Sequence, residues 1–508
     1  MYLATSLVVS SLKLLFMPSY KSTDFEVHRN WLAITSSLPV SKWYLENTSI
    51  WTLDYPPLFA WFEFIMSKVA VYFDPEMLRI GNLDYSSENT ILFQRLSVIV
   101  TDLVFLAGAI KCSNNLQLLK LGNIGGVSKD TTVFFLLLSN FGLFLVDHIH
   151  FQYNGFLFGI LLLSIAALME EQYLLGGFWF AVLLNLKHIY LYIAPAYFIF
   201  LLRSYCFINR PKKMFLFNFS PMRLISLGSL VLFIFGLSFG PFIHQIEAVV
   251  QRLFPFKRGL CHAYWAPNFW AVYNIVDKVL TVAGKKAGYL NTTVDAGASM
   301  TGGLVQDIQH TVLPSIPPTV TFALTFLIMI PALFKLWRSP NNVVAFIRCL
   351  TLCGWSSFIF GWHVHEKVSF FYRIKVDGLC LSSEIFYEFF FNSFIIRYFL
   401  LLSNCGHFSL FPLLFTQQEL LSKMFLFIFS TSLNYKLIKQ VYKGSLFCKK
   451  EVLYLLLAIP VFLYAEFVHH YLGFAERLPF LPLMFYSLYS TVGVLVTYIR
   501  FYAFFLYQ

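Results

Sequence analysis

Asp24 and Glu26 follow directly on the first apolar run of the chain, residues 2–17. A carboxylate held where lipid meets water can take the proton of an incoming hydroxyl, which is general-base work; a solvated loop acid has the same appearance. Asp54, within Leu53-Asp54-Tyr55-Pro56-Pro57, is a further carboxylate of this kind. Asp147, His148, His150 and Gln152 fall in one string, Asp147-His148-Ile149-His150-Phe151-Gln152-Tyr153-Asn154, after an uninterrupted apolar run. Aspartate and histidine are metal ligands, but histidines at i and i+2 do not share a helix face. Ligation would need an irregular turn, so we read the string as the polar wall of a site, without metal, or as a packed loop corner. Lys187-His188 interrupts the run 173–202. Arg252, Lys257 and Arg258 stand among aromatic residues over 252–259, a mixture that suits a lipid phosphate and equally an interfacial anchor. His365 and Lys367, in His363-Val364-His365-Glu366-Lys367, could meet a phosphate, or Lys367 could simply snorkel. Asp102 lies inside the run 94–110, where a carboxylate is costly and is functional or paired; structural pairing is the expected reading.

The elements that hold these residues must be membrane helices. Hydrophobic residues make up 58% of the 508, and charged residues 12%, about half the soluble norm of about 25%. Hydrocarbon accepts such a surface, and the length provides roughly a dozen spans of ~20 residues. The net charge of +11 sits in short loops between apolar runs, with no nucleic-acid motif. Basic loops at 203–223 and 436–450, and the stretch 111–129, should face the cytosol. Apolar runs fall near 2–17, 94–110, 131–146, 153–169, 173–202, 224–243, 313–335, 344–362, 398–415, 424–435, 452–467 and 479–499. The first contains Lys13, lacks a basic leader and a cleavage site, and is read as a retained span, short enough that residues upstream are expected. The run 173–202 should be two short spans meeting at Lys187-His188.

The run 58–73 precedes an acidic stretch, so charge places it along the lumenal surface rather than across the bilayer. Pro56 and Pro57 suit its first turn. Residues 18–93 then form a long first lumenal loop and 246–312 a second, within one polytopic membrane domain, 1–508. With that topology every polar string named above lands on the lumenal side. The sequons at Asn47 and Asn291 agree with it, and the eight scattered cysteines suit helix packing better than a metal site.

One segment breaks the pattern. A crossing is required between the lumenal His363 string and the cytosolic loop 436–450, and only 368–396 can supply it. Arg373, Lys375, Asp377, Glu384 and Glu388 stand there, each costing roughly 2.5–3.5 kcal/mol at the centre of a span. Val368-Ser369 is encodable as an intron start and Phe389-Phe390-Phe391 as a pyrimidine tract. The expectation is translated intron; the alternative is a lineage-specific loop.

Taken in order, five strings resemble one family. They are Thr23-Asp24-Phe25-Glu26-Val27-His28-Arg29-Asn30-Trp31, Leu53-Asp54-Tyr55-Pro56-Pro57, the Asp147 string, residues 252–259 and His363-Val364-His365-Glu366-Lys367. They are similar to the endoplasmic-reticulum dolichyl-phosphate-glucose-dependent α-1,3-glucosyltransferases, all-α polytopic proteins of the GT-C type. The resemblance implies about 12–14 transmembrane helices. The strings His148-Ile149-His150-Phe151-Gln152-Tyr153-Asn154-Gly155-Phe156 and Gly259-Leu260-Cys261-His262-Ala263-Tyr264-Trp265-Ala266-Pro267-Asn268 look like the type that adds the second glucose. The alternatives are the type that adds the first and, in another class, a lipid or sugar transporter.

The resemblance implies transfer of glucose from dolichyl phosphate glucose to a monoglucosylated dolichyl-pyrophosphate-linked oligosaccharide. The linkage inverts, no cofactor or metal takes part, and the site faces the lumen of the endoplasmic reticulum. Asp24 maps onto the family's catalytic base. Glu26, Asp54, Asp147, His148, His150 and Gln152 would line the substrates. Lys187, Arg252, Arg258, His365 and Lys367 are the cations available to the leaving phosphate.

Overall fold

The structure, a computed structural model, describes residues 2–118, 129–208, 218–254, 259–260, 266–290, 310–364, 393–414, 417–442 and 444–507. Read from sequence as one domain, the chain packs as two compact units. Met1–Pro255 with Leu336–Phe346 forms the first and contains the described part of the Asp24 neighbourhood. Among the described residues seven helices are long and apolar enough to cross a membrane, and four shorter apolar helices accompany them. The chain is a multi-pass membrane protein.

In the first unit α1 (Tyr2–Leu15) is apolar apart from Lys13 and a few hydroxyls. α2 (Thr23–Ser37) carries Asp24 and Glu26 in its first turn, where the helix dipole favours negative charge. It then buries Glu26, His28, Arg29 and Asn30, and each of these side chains makes at least one polar contact. Both oxygens of Glu26 accept from Arg29 at 2.7 Å, and Arg29 also donates to the Met77 carbonyl at 2.9 Å. His28 meets Glu63 at 2.7 Å, Asn30 donates to Trp51 O at 2.9 Å and Trp31 to Thr52 O at 3.1 Å. The loop after α2 is therefore laced onto one buried polar helix.

Glu63 belongs to α3 (Pro57–Ala70), which starts on Pro57 as the sequence predicts. Burial pushes the Glu63 carboxyl above its usual range, against the pull of His28.

α4 (Glu88–Leu118) and α6 (Asn154–Met169) are the most closely packed pair; α5 (Lys129–Leu138) lies between them in sequence. The spacing Gly155-x-x-x-Gly159 on α6 makes this approach possible. A Cβ at Gly159 would collide with the backbone of Val104 and Phe105, and one at Gly108 with the Gly159 carbonyl. Gly159→Val is therefore expected to force the pair apart and lower stability by ~1–3 kcal/mol, read as a fall in Tm of the purified protein. An unchanged Tm would contradict the close approach.

α7 (Tyr173–Leu186) ends at Lys187, whose backbone is extended, φ −150° and ψ 113°. The chain resumes through His188–Ile193 into α8 (Ala194–Leu201), so the run 173–202 is two helices meeting at Lys187-His188, as expected. α9 (Pro221–Phe239) and α10 (Ile246–Leu253) complete this unit.

The second unit holds Phe256–Lys335 and the described residues after Phe346. Its helices include α11 (Phe269–Lys286), α12 (Pro318–Arg338), α13 (Val343–Phe360), α14 (Ser393–Phe408), α15 (Leu420–Val441) and α16 (Leu481–Tyr507). Lys423 of α15 is buried against Glu466 at 2.6 Å, and Tyr486 of α16 donates to the same carboxylate at 2.9 Å. On α11 Asp277 accepts the backbone N–H groups of Thr311, Val312 and Leu313. Burial raises its carboxyl, but those bonds win and hold it below its usual range. Most of the anomalous segment, 368–392, lies outside the described residues; its last residues, Ser393 to Ile396, open α14.

Candidate active site

Asp24 is partly exposed, at 19%, at the start of α2. Gln152 Nε2 donates to its Oδ2 at 2.5 Å, and His150 Nε2 stands 3.6 Å from the same oxygen. Tyr20 OH pairs with His150 Nδ1 at 2.6 Å, and the Ser22 hydroxyl donates to the His150 carbonyl.

The irregular turn needed to gather these groups is present. A π-helical turn at Phe144–Ile149 closes with His150 N–H on Leu145 O at 2.8 Å. Phe151 then takes φ +85°, a conformation strained for a bulky residue. Its ring is fully buried edge-on against Phe25, His28 and Tyr153, which holds the turn. The turn separates the two histidines. His148 Nε2 faces Asp102 Oδ2 at 2.8 Å, whereas His150 faces Asp24.

Behind Gln152 the polar chain continues. Asn154 Nδ2 donates to Gln152 Oε1 at 2.8 Å and to Asp147 Oδ1 at 2.9 Å. Asp147 Oδ2 accepts Gly155 N–H at 2.6 Å, capping the first turn of α6. Lys187 Nζ donates to Asn154 Oδ1 at 3.2 Å and lies 4.9 Å from the centre of the Tyr55 ring. Burial, and then the carboxylates of Asp54 and Asp24, push the Tyr55 phenol well above its ordinary range, so it stays a neutral hydroxyl. One connected network thus joins Asp24, Gln152, Asn154, Asp147 and Lys187.

Asp102 is paired as expected, with Lys13 of α1 as well as His148. Arg95 of α4 clamps the two backbone segments that bring Asp24 and His150 together. Nη1 donates to His148 O at 2.7 Å and Ile149 O at 2.9 Å, and Nη2 to Tyr20 O at 2.9 Å. Arg95→Met would strip these buried carbonyls of their donors, at ~1–3 kcal/mol each. The expected outcome is a Tm loss together with a fall in turnover; a variant with wild-type Tm would deny the clamp.

The remaining sequence candidates divide. Glu26 is occupied by Arg29. Asp54 lies in electrostatic range of Tyr55 and Arg252, and Arg252 donates to Glu46 O at 3.2 Å. Arg258, His365 and Lys367 lie outside the described residues. Among the described residues no His, Cys, Asp and Glu side chains group to hold a metal. Sequence reasoning did not select Tyr20, Tyr55, Arg95 or Asn154. Tyr55 and Asn154 stand inside strings it quoted, and Arg95, next to an apolar run, carried the signal of an ionisable group at a membrane boundary. An oriented carboxylate and a buried ammonium in one network can abstract a proton and favour an anion nearby.

Residues 9–501 match the sequence model of the ALG6, ALG8 glycosyltransferase family. This chain belongs to that family. Every residue of the Asp24 network lies inside the match. Among curated ALG6, ALG8-like relatives, the dolichyl pyrophosphate Glc1Man9GlcNAc2 alpha-1,3-glucosyltransferase of Bos taurus is 49% identical over 505 residues, 98% of this chain and 94% of its own. The probable enzyme of that name from Drosophila melanogaster is 48% identical over 96% of this chain and 91% of its own. The Arabidopsis thaliana protein is 43% identical over 97% and 95%.

Proposed function

We propose that this chain transfers glucose from dolichyl phosphate glucose to the monoglucosylated, dolichyl-pyrophosphate-linked oligosaccharide. The linkage made is α-1,3. Asp24 carries the reading: its carboxylate is aimed by Gln152 beside His150, at the start of a helix, in a glycosyltransferase-family chain. Asp24 takes the acceptor hydroxyl proton while the oxygen attacks the glucose anomeric carbon. The bond to the donor phosphate breaks, the electron pair leaves with dolichyl phosphate, and a β-linked donor yields an α-linked product. Lys187 supplies positive charge from within the network; Arg252, Arg258, His365 and Lys367 are the other candidates for the phosphate. Asp54, Asp147 and Gln152 shape the acceptor side, His150 stands beside Asp24, and Glu26 and His148 hold the frame through Arg29 and Asp102. An apolar cavity of about 560 Å³, lined by residues including Trp61, Phe62, Leu103, Phe156 and Trp179, suits a lipid-linked substrate.

Labelled dolichyl phosphate glucose, offered to the protein in microsomes with unglucosylated or monoglucosylated acceptor, tests this. Transfer to the monoglucosylated acceptor alone is expected. Transfer to the unglucosylated one would assign the first-glucose reaction, and flux without transfer would assign a transporter. In this reading the site faces the lumen of the endoplasmic reticulum. A Cys at Gln152 in sealed microsomes should resist a membrane-impermeant thiol reagent added outside and react once the vesicles are opened. Labelling from outside would remove the lumenal assignment.

A further inference from the structure

We infer that His150 and Tyr20 form the route by which the proton collected by Asp24 leaves the site. The inference rests on the reading of Asp24 as base. That reading leaves a carboxylic acid at the end of each transfer, and the acid must be deprotonated before the next. With the acceptor seated over Asp24, its direct access to water is covered. Beside Gln152, the titratable group facing it on the protein side is His150, whose Nε2 is 3.6 Å from Oδ2 and whose Nδ1 is 2.6 Å from Tyr20 OH. His150 is buried and Tyr20 is half-buried, so the order Asp24, His150, Tyr20 leads from the site toward water by a path the acceptor does not need.

The groups facing this path shape it. Ser22 fixes the His150 backbone from the segment between α1 and α2. Arg95 of α4 lies on the carbonyls of His148, Ile149 and Tyr20. On the far side of the turn Lys13 and His148 both meet Asp102. Asp24–OH gives its proton to Nε2 of His150. The imidazolium releases its Nδ1 proton to the Tyr20 oxygen as the Tyr20 hydroxyl proton passes to water. The gap of 3.6 Å is longer than a hydrogen bond, and the relay requires it to shorten in the substrate complex, as catalytic contacts often do. The carboxylate returns, and His150, left as its Nε2–H tautomer, has to exchange back to the Nδ1–H form before the next transfer.

The test compares His150→Ala, Tyr20→Phe and Asp24→Asn in the purified full-length protein, with kcat and KM for donor and acceptor measured in H2O and D2O. His150→Ala should lower kcat ~100-fold, within the usual range for proton-transfer groups, with both KM values near wild type and a larger solvent isotope effect. Millimolar imidazole should restore much of that loss, and should not restore Asp24→Asn. Tyr20→Phe keeps the ring and should lower kcat ~10-fold with the same isotope signature. Wild-type kcat in a folded His150→Ala, or a loss that follows KM and ignores imidazole, overturns the relay. Should His150→Ala fail to fold, wild-type kcat in Tyr20→Phe overturns it equally. An active Asp24→Asn would instead overturn the assignment of the base.

Discussion

Asp24→Asn lowers turnover by at least ~100-fold while folding and donor binding survive. The substitution keeps the shape of the side chain and removes its basicity. Gln152 Nε2, which donates to Oδ2, can still donate to the amide oxygen of asparagine, so the turn carrying Gln152 and His150 keeps its anchor. Asp24 is partly exposed, so its neutral replacement leaves no buried charge unpaired. The check is single-turnover kinetics on purified protein, beside donor affinity and Tm. Near-wild-type turnover would remove Asp24 as base. Glu26 could not replace it without giving up Arg29, which occupies both of its oxygens, so Asp54 would be next.

Asp102→Asn destabilises the protein by ~3–5 kcal/mol, the usual cost of removing one partner from a buried ion pair. Lys13 and His148 both turn to this carboxylate, and all three are buried. Without it an ammonium is left inside the bundle with a neutral amide for company. The pairing, more than the charge itself, sets the effect, so Lys13→Met with Asp102→Leu should recover most of the loss. Thermal unfolding in detergent across the four species of a double-mutant cycle reads the coupling. Additive losses would show that Lys13 and Asp102 do not act as a pair.

The apolar runs made the helices legible, because lipid leaves a segment of that length few other states. The break at Lys187-His188 was legible for the same reason: two polar residues in mid-run have to lead somewhere polar. The apolar run 424–435, flanked by Lys423 and Lys436, lies within the longer helix Leu420–Val441, because both lysines are helical. That Asp102 needs a partner followed from its place in the chain. Which partner did not, since Lys13 is 89 residues away and His148 46, and no periodicity links such positions. Nothing in the sequence sets Tyr20 apart from an ordinary interfacial tyrosine. The acceptors of Arg95 are backbone carbonyls, which every sequence supplies and none advertises.

The distance between Lys13 and Asp102 along the chain also sets a clock. Synthesis proceeds at ~5–20 residues per second, so the 89 residues between them take about 4–18 s to make. For that interval the first helix is in the membrane with an ammonium and no counter-charge. An unpaired ammonium is costly among lipid tails, so this part of α1 has to be sheltered at the insertion machinery or ride near the interface. Arrival of α4 discharges the debt and locks the two helices together, before the turn carrying His148 emerges. Nascent chains stopped short of Asp102 should therefore be extracted from membranes by alkaline carbonate, and chains carrying α4 should resist.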